Sequence, residues 1–141
     1  MTAESEIRSL LDNVVEATRS KNIDALMRHY ASDVLAFDVV DPLTYRGADA
    51  LRKRAAAWFS SFDGQIRYEL RDLSLTAGDT VAFCHLLSHV VGHTMDGRNL
   101  DMWCRTTYGF RQMADRWLIT HVHNSVPFDP ASGSASLDLQ P

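Results

Sequence analysis

The hydrophobic pattern of this 141-residue chain changes its period at Asp63-Gly64. Before that turn, apolar residues recur at spacings of three and four, which is typical of one face of a helix. After the turn, apolar and polar residues alternate over long stretches, as in antiparallel strands with one buried face. This order predicts an α+β fold, in which N-terminal helices pack on a curved, mainly antiparallel sheet and form a cone with one open end.

Three helices are predicted before the turn. Their predicted bounds are residues 4–19, 23–30 and 48–62. Asn22 or Asp24 can cap the second helix through a side-chain oxygen, and Tyr30 falls on its apolar stripe. A short, β-branched strand is predicted over residues 34–40, between the second and third helices.

Four strands are predicted after the turn. Their predicted bounds are residues 66–75, 80–94, 100–111 and 117–125. The alternation of the first strand slips near Arg71-Asp72, which predicts a bulge. Residues 1–128 are therefore expected to form a single domain, and residues 129–141, rich in small residues, a C-terminal extension.

The composition argues against several classes of function. A net charge of −4 and a pI near 5.8 leave no basic field for nucleic acid or for an anionic membrane surface. The acidic N-terminus lacks the pattern of a secretory leader, and no apolar run is long enough to span a membrane. Cys84 and Cys104 lie in strand-like segments without the spacing of a disulfide framework. We therefore expect a cytoplasmic protein with reduced cysteines.

The last predicted strand carries an unusual mixture of side chains. Strict alternation puts Trp117 and Ile119 on the same face as His121, His123 and Ser125. That face is apolar where the strand begins and polar where it ends. Such a strand is typical of the floor of a half-polar pocket.

Three stretches of the sequence resemble one superfamily. They are Asn22-Ile23-Asp24, residues 45–52 (YRGADALR) and residues 115–128 (DRWLITHVHNSVPF). With this order of elements, the chain resembles the nuclear transport factor 2-like superfamily, and within it the SnoaL-like proteins and ketosteroid isomerase homologues. The resemblance covers residues 5–128 and implies a cystatin-like roll that assembles as a homodimer. Because this fold hosts isomerases, cyclases, dehydratases, hydrolases and association domains, it does not by itself assign an activity.

The resemblance implies a general base but not a steroid isomerase. Ketosteroid isomerase uses an Asp base and an oxyanion hole formed by a Tyr and a protonated Asp. An ungapped match from Gly47 implies Asp38 as the base, whereas the family's Asp-Pro pair implies Asp41. We prefer Asp38, because its apolar neighbours favour a basic carboxylate. Val14 and Thr106 stand where the family has its two oxyanion donors, so steroid isomerase activity is not expected.

The same match implies further pocket residues. The candidate catalytic residues are Asp38, Tyr108, His121 and His123. Tyr108 or a protonated His121 can donate a hydrogen bond to a developing enolate or alkoxide. The candidate ligand-binding residues are Asp41, Tyr45, Trp58, His89 and Thr106. No organic cofactor is implied, because the chain has no GxGxxG motif and no phosphate-binding loop.

The histidines also permit a metal site, which we do not favour. Imidazoles at i and i+2 on adjacent strands can converge on zinc or iron, with Asp38 as a carboxylate partner. However, the strand from His85 to His93 spans about 26 Å when extended, and the sequence has no tight ligand motif such as HExxH. We therefore assign no metal.

Two functions from different classes remain open. One is a pocket protein for a small apolar carbonyl compound, which as an enzyme would be a cofactor-independent isomerase, cyclase or dehydratase. The other is a non-catalytic ligand-binding or association module. In a catalyst, Asp38 should lie within one hydrogen bond or one water of a pocket histidine. In either case, Trp103, Arg105 and Thr107 alternate away from the pocket and suit a homodimer interface on the outer sheet face.

Overall fold

The computed structural model describes residues 2–141 and contains the three predicted helices. Helix α1 covers Ala3–Arg19, α2 covers Ile23–Met27 and α3 covers Ala48–Ser60. The Thr2 hydroxyl accepts a hydrogen bond from the Ser5 N–H, and the Asn22 side chain accepts one from the Ala25 N–H. Side chains therefore cap both of the first two helices, and Asn22 is the cap of α2.

Six strands within the described residues form one sheet. They are β1 (Tyr30–Phe37), β2 (Tyr45–Arg46), β3 (Phe62–Ala77), β4 (Val81–Thr94), β5 (Asn99–Met113) and β6 (Arg116–Ser125). Their order across the sheet is β2-β1-β6-β5-β4-β3. The last strand, β6, lies parallel to β1 and antiparallel to β5. The predicted antiparallel meander is thus confirmed, and β1 and β2 extend it beyond β6.

The first strand begins earlier than the sequence pattern predicts. Tyr30 is the first residue of β1, so its assignment to the apolar stripe of the second helix is wrong. Helix α2 ends at Met27, and the next turn of chain pairs with β6: the Ile119 N–H donates to the carbonyl oxygen of His29 at 2.8 Å. This pairing with the middle of the sheet overrides the helical spacing of Tyr30.

Two bulges shift the pairing of the strands. In β3, Arg71 pairs with Leu87 but Ser74 pairs with His85, and Asp72 has a φ of 57°, so the predicted bulge is confirmed. In β6, the pairing moves from Ile119 with Phe110 directly to His121 with Gly109, which leaves Thr120 as an extra residue. A Cβ on Gly109 would lie 3.4 Å from the Cβ of His121, which is an ordinary van der Waals contact.

The helices pack on one face of the sheet, called the inner face here; the opposite face is the outer face. Ile7, Leu11 and Val14 of α1 are almost completely buried, together with Phe110 and Ile119 from the sheet. The α+β fold with helices on one side of a curved sheet is therefore confirmed.

The chain beyond β6 folds into a small turn. Phe128 pairs with Ala135 in an isolated antiparallel bridge, and the Asp129 N–H donates to the Ser134 carbonyl oxygen at 2.8 Å. Across residues 2–141, no helix combines the length and the apolar character that a membrane span needs.

Candidate functional site

A cavity lies between the inner face and the helices. Its volume is about 140 Å³, close to the roughly 150 Å³ of an engineered apolar cavity that binds benzene. Apolar side chains that line it include Val14, Leu26, Trp58, Val90 and Val122. Polar side chains that line it include Tyr30, Asp38, Arg54, Tyr68, Ser88, Tyr108 and Asn124. Three of the predicted site residues, Asp38, Trp58 and Tyr108, therefore meet in one cavity.

Three tyrosines, Tyr30, Tyr68 and Tyr108, form a phenol cluster in this cavity. Burial raises the pKa of Tyr68 to about 12 and also raises the pKa values of Tyr30 and Tyr108 well above the usual range of a phenol. All three phenols are therefore protonated at neutral pH and are hydrogen-bond donors in an apolar setting.

Asp38 lies directly after β1, at the edge of the cavity. One carboxylate oxygen accepts a hydrogen bond from Arg54 Nε at 2.9 Å, and the other accepts one from the Val39 N–H at 2.7 Å. The side chains of Asp38 and Arg54 are 17% and 21% exposed, so the ion pair is mostly buried. Burial is the largest cause of the raised pKa values of Tyr30 and Tyr68, and the nearby charge of Asp38 is a smaller one. The carboxylate and the phenols therefore lie close to one another.

A chain of hydrogen bonds runs across the inner face behind the cavity wall. Thr106 Oγ1 donates to Asn124 Oδ1 at 2.7 Å, and the hydroxyls of Ser88 and Thr106 are 3.0 Å apart. Ser88 and Thr106 are 3% and 2% exposed. Thr106, a predicted ligand-binding residue, thus lies behind Ser88 and Asn124, which themselves line the cavity.

The expectation that His121 and His123 lie on the pocket face is wrong. Because Thr120 is an extra residue, the alternation of β6 reverses after Ile119, and Val122 and Asn124 face the cavity instead. His121 Nδ1 donates to the Leu35 carbonyl oxygen at 2.7 Å on the outer face.

The ring of Phe37 occupies the space beside both histidines. It makes edge-on contacts with the imidazoles of His121 and His123, at centroid distances of 5.0 and 5.4 Å. Neither imidazole lines the cavity that contains Asp38. Arg54, and not a histidine, is therefore the charged partner of Asp38.

Asp41 and Tyr45 belong to the loop between β1 and β2. The Tyr45 hydroxyl donates to the Asp41 carbonyl oxygen at 2.9 Å, which closes the loop on itself. Asp41 is exposed and faces an open groove along the loop, which it shares with Asp38 and His123. Of the two candidate bases, only Asp38 reaches the phenol cluster.

His89 lies on the outer face, so its expected position across the hairpin in the pocket is wrong. Its two ring nitrogens lie 3.0 Å from a Glu69 oxygen and 2.6 Å from an Asp101 oxygen, and its ring stacks on Trp103 at 4.1 Å. Partial burial acts to lower the pKa of His89, but its hydrogen bonds to Asp101 and Glu69 outweigh this effect and raise the pKa. His89 is thus part of a surface network of charges.

Sequence reasoning missed five of the polar residues that line the cavity: Tyr30, Arg54, Tyr68, Ser88 and Asn124. Tyr68 alternates with buried Ile66, and this was a usable signal. Arg54 follows Arg52-Lys53 and resembles the solvated side of a helix, and Asn124 changes face only because of the bulge. Within residues 2–141, no three His, Cys, Asp or Glu side chains are grouped so that they could hold a metal ion.

Solved structures share the fold over nearly the whole chain. An NTF2-like protein of unknown function from Pseudomonas putida is 31% identical, with a TM-score of 0.90, and the match covers 99% of this chain and 96% of that one. No curated protein sequence matches.

Two more distant structures show how widely the fold is used. A candidate dehydratase of the NTF2-like family from Streptomyces avermitilis is 13% identical, with a TM-score of 0.76 and coverage of 86% and 94% of this chain and that one. A candidate calcium/calmodulin-dependent protein kinase II association domain from Xanthomonas campestris is 16% identical, with a TM-score of 0.76 and coverage of 89% and 88%. At these identities, only the fold is shared.

The SnoaL-like domain family matches residues 7–129, which is most of the chain. That range begins inside α1 and ends just past β6. It therefore contains the whole sheet, the second and third helices, most of α1 and the cavity. The chain therefore belongs to the SnoaL-like domain family and has the NTF2-like, cystatin-like fold.

Proposed function

We propose that the cavity binds a small, mainly apolar carbonyl compound of single-ring size and that Asp38 transfers a proton next to that carbonyl. The observation that carries this proposal is the meeting of one carboxylate and three protonated phenols in a mainly apolar cavity. A few polar groups placed in an apolar pocket are typical of a small-molecule site. The volume of about 140 Å³ suits one ring and is too small for a four-ring steroid.

The proton transfer uses groups that face one another. The Asp38 carboxylate takes a proton from the carbon next to the carbonyl. The electron pair of that C–H bond forms a carbon–carbon double bond, and the π pair of the C=O bond moves to the oxygen, which gives the enolate. The phenol cluster donates hydrogen bonds to the enolate, and return of the proton to the same or another carbon regenerates the carboxylate. One good donor to such an oxygen contributes about 3 kcal/mol to the transition state. Isomerisation and dehydration both need this step.

Cyclohexanone provides a direct test of the step. In D₂O, the native protein should speed the exchange of the hydrogens next to the carbonyl for deuterium, as followed by proton NMR. Asp38→Asn should lower the protein-dependent rate at least about hundredfold, which is a typical contribution of a general base. Tyr108→Phe should lower it about hundredfold.

Asp41→Asn is the matched control for Asp38→Asn. Asp41 lies on the exposed loop outside the phenol cluster, so this variant should keep the native rate. Exchange at the buffer rate in the native protein, or an unchanged rate in Asp38→Asn, would contradict proton transfer. A protein that binds cyclohexanone but does not exchange its hydrogens would be a binding module.

The non-catalytic alternative has its own support. Asp38 is paired with Arg54 and with its own loop, and neither His121 nor His123 approaches it as an acid–base partner. Both oxygens of the Asp38 carboxylate thus already accept hydrogen bonds within the protein. In this alternative, the same cavity senses a ligand without reacting with it.

Either function is compatible with a homodimer through the outer face. Val81 and Phe83 on that face are 57% and 52% exposed, and Arg105 and Trp103 lie on the neighbouring strand. Exposed apolar and aromatic residues are typical of an interface. Phe83→Asp should therefore shift the sedimentation coefficient from dimer to monomer, whereas Asn13→Asp on the exposed side of α1 should not. A cytoplasmic location stays a prediction, to be tested by cell fractionation.

A further inference from the structure

The amide group of Asn124 is held in one orientation by its neighbours. Thr106 has a single hydroxyl proton, and it donates this proton to Asn124 Oδ1 at 2.7 Å. In the 3.0 Å contact between the two hydroxyls, Ser88 must therefore be the donor and Thr106 the acceptor. Both hydroxyls are buried, so water does not compete for these bonds. The carbonyl end of the Asn124 amide is occupied, and the –NH₂ end points elsewhere.

The –NH₂ group of Asn124 is available to a ligand. Within residues 2–141 it makes no hydrogen bond to the protein, and it is not among the polar atoms that are sealed from solvent without a partner. Asn124 lines the cavity, as does Asp38. Phe37, the residue before Asp38, pairs with His123, the residue before Asn124. This donor and the proposed base therefore lie at the same end of the cavity.

The Asn124 donor and the phenol cluster lie at different positions along the strands. Tyr108 pairs with Val122, whereas Thr106 pairs with Asn124. Two residues along a strand correspond to about 7 Å, which is the scale of a six-membered ring with an oxygen at each end. The positive charge of Arg54 is balanced by Asp38, so nothing at the Asn124 end requires a charged ligand group.

We propose that Asn124 is a specificity-determining residue, whose amide –NH₂ binds a second, neutral acceptor oxygen of the ligand opposite the oxygen held by the phenol cluster. The ligand class is thus a single-ring compound with oxygens at opposite ends, such as a diketone or a hydroxyketone. Thr106 is a positioning residue, because it sets which end of the amide faces the cavity. This inference rests on the proposed ligand site and specifies what the site selects.

Two probes that differ by one oxygen test the inference. Cyclohexane-1,4-dione carries an oxygen at each end of the ring, and cyclohexanone carries only one. Binding of each probe is followed by ¹H–¹⁵N NMR titration of the full chain. The dione should bind about tenfold more tightly, the effect of one well-placed hydrogen bond. The side-chain amide signal of Asn124, assigned by triple-resonance NMR of the native protein, should shift with the dione and not with cyclohexanone.

Variants separate recognition from folding. Asn124→Leu should remove the tenfold preference and leave the affinity for cyclohexanone within about twofold. Thr106→Val should weaken the preference by freeing the amide to turn over, and Thr106→Ser, which keeps the hydroxyl, should restore it. Asn13→Leu on the exposed face of α1 is the matched control and should bind both probes as the native protein does.

The outcomes distinguish this inference from the proposed function. Equal affinity for the two probes, with an unmoved Asn124 amide signal and shifts at Tyr30, Tyr68 and Tyr108, would overturn the role of Asn124 and leave the carbonyl site intact. Failure of both probes to bind would overturn the proposed site and the inference together. Since the amide signal is read in the native protein, the inference is tested even if Asn124→Leu folds poorly.

Discussion

The two faces of the sheet carry different kinds of polar group. The inner face presents neutral donors and acceptors: the phenol cluster, Ser88, Thr106 and Asn124. The outer face carries five of the six histidines, the sixth being His29. One of the five, His89, has a carboxylate on each ring nitrogen. Groups that keep their proton at neutral pH tolerate an apolar setting, whereas groups that change charge near pH 7 need water or a counter-charge. The chemistry of this protein is therefore expected on the inner face.

One residue decides which side chains belong to which face. Before Thr120, Trp117 and Ile119 face the core; after it, His121 and His123 face outward. The bulge takes up one residue, so the core-facing positions are odd-numbered before it and even-numbered after it.

Insertion of one alanine directly after Thr120 should therefore have the largest effect. The bulge already takes up one extra residue, so a second one would turn His121 and His123 toward the core and Val122 toward water. Burial of two imidazoles without partners should cost about 5 kcal/mol or more of unfolding free energy, beyond the usual range for a single change. Urea denaturation of the variant measures this loss. A loss below about 1 kcal/mol would mean that the bulge can take up the added residue.

Trp117→Ala and His123→Ala compare the two halves of β6. Trp117 is 5% exposed and packs in the core, so its truncation should cost about 3 to 5 kcal/mol. His123 is exposed, so its truncation should change the unfolding free energy by less than about 0.5 kcal/mol. Both values come from urea denaturation under the same conditions. Equal losses would show that His123 is structural and would contradict its outward position.

Thr106→Val and Thr107→Val compare neighbouring residues on opposite faces. Thr106→Val leaves the buried Ser88 hydroxyl without its acceptor and Asn124 Oδ1 without its donor, which should cost about 1 to 3 kcal/mol. Thr107 is exposed, and the same substitution there should be nearly neutral. Similar losses in chemical denaturation would mean that the chain of hydrogen bonds does not stabilise the inner face.

His89 should give a small, pH-dependent effect on the outer face. Its pKa is raised in the folded state, because the carboxylates of Asp101 and Glu69 outweigh the effect of burial. Its contribution to stability is therefore fully present below the unfolded pKa of about 6.5 and is lost as the pH rises through the folded pKa. Since both carboxylates are mostly exposed, the contribution should be below about 1 kcal/mol.

The His89 effect is measured as a difference between the native protein and His89→Gln. Denaturation at pH 5.5 and pH 8.5 should show a larger advantage of the native protein at the lower pH. The difference is needed because burial lowers the pKa of His29, with help from Arg28 and Arg116, and His29 therefore acts in the opposite direction. A constant difference across this pH range would mean that the carboxylates do not hold a proton on His89.

The sequence predicted most of the fold because most elements follow a clean period. The family resemblance implied that Thr106 and Tyr108 face the pocket, and alternation put Trp103, Arg105 and Thr107 on the opposite face, as the structure has them. These residues lie in long strands, where the alternation of buried and exposed positions continues over many residues and is easy to recognise.

The candidate site was predicted less completely, and the reasons are local. Trp117, Leu118 and Ile119 are all buried and apolar. This run therefore does not alternate between apolar and polar residues, and the Thr120 bulge cannot be detected from it. The alternation of His121, Val122 and His123 did carry the correct phase, but only for the end of the strand. Tyr30 has helical spacing from α2, and only its pairing beside β6 places it in the cavity. Long-range pairing overrides local pattern at both positions.

A crystal structure of the protein grown with cyclohexane-1,4-dione would test the cavity most directly. We predict density for one ring in the cavity, with one oxygen within hydrogen-bond distance of the phenol cluster and the other at the Asn124 –NH₂, at the same end of the cavity as Asp38. A ring bound on the outer face near His121 and His123, with the cavity empty or closed by its own side chains, would contradict the assignment of the site to the inner face.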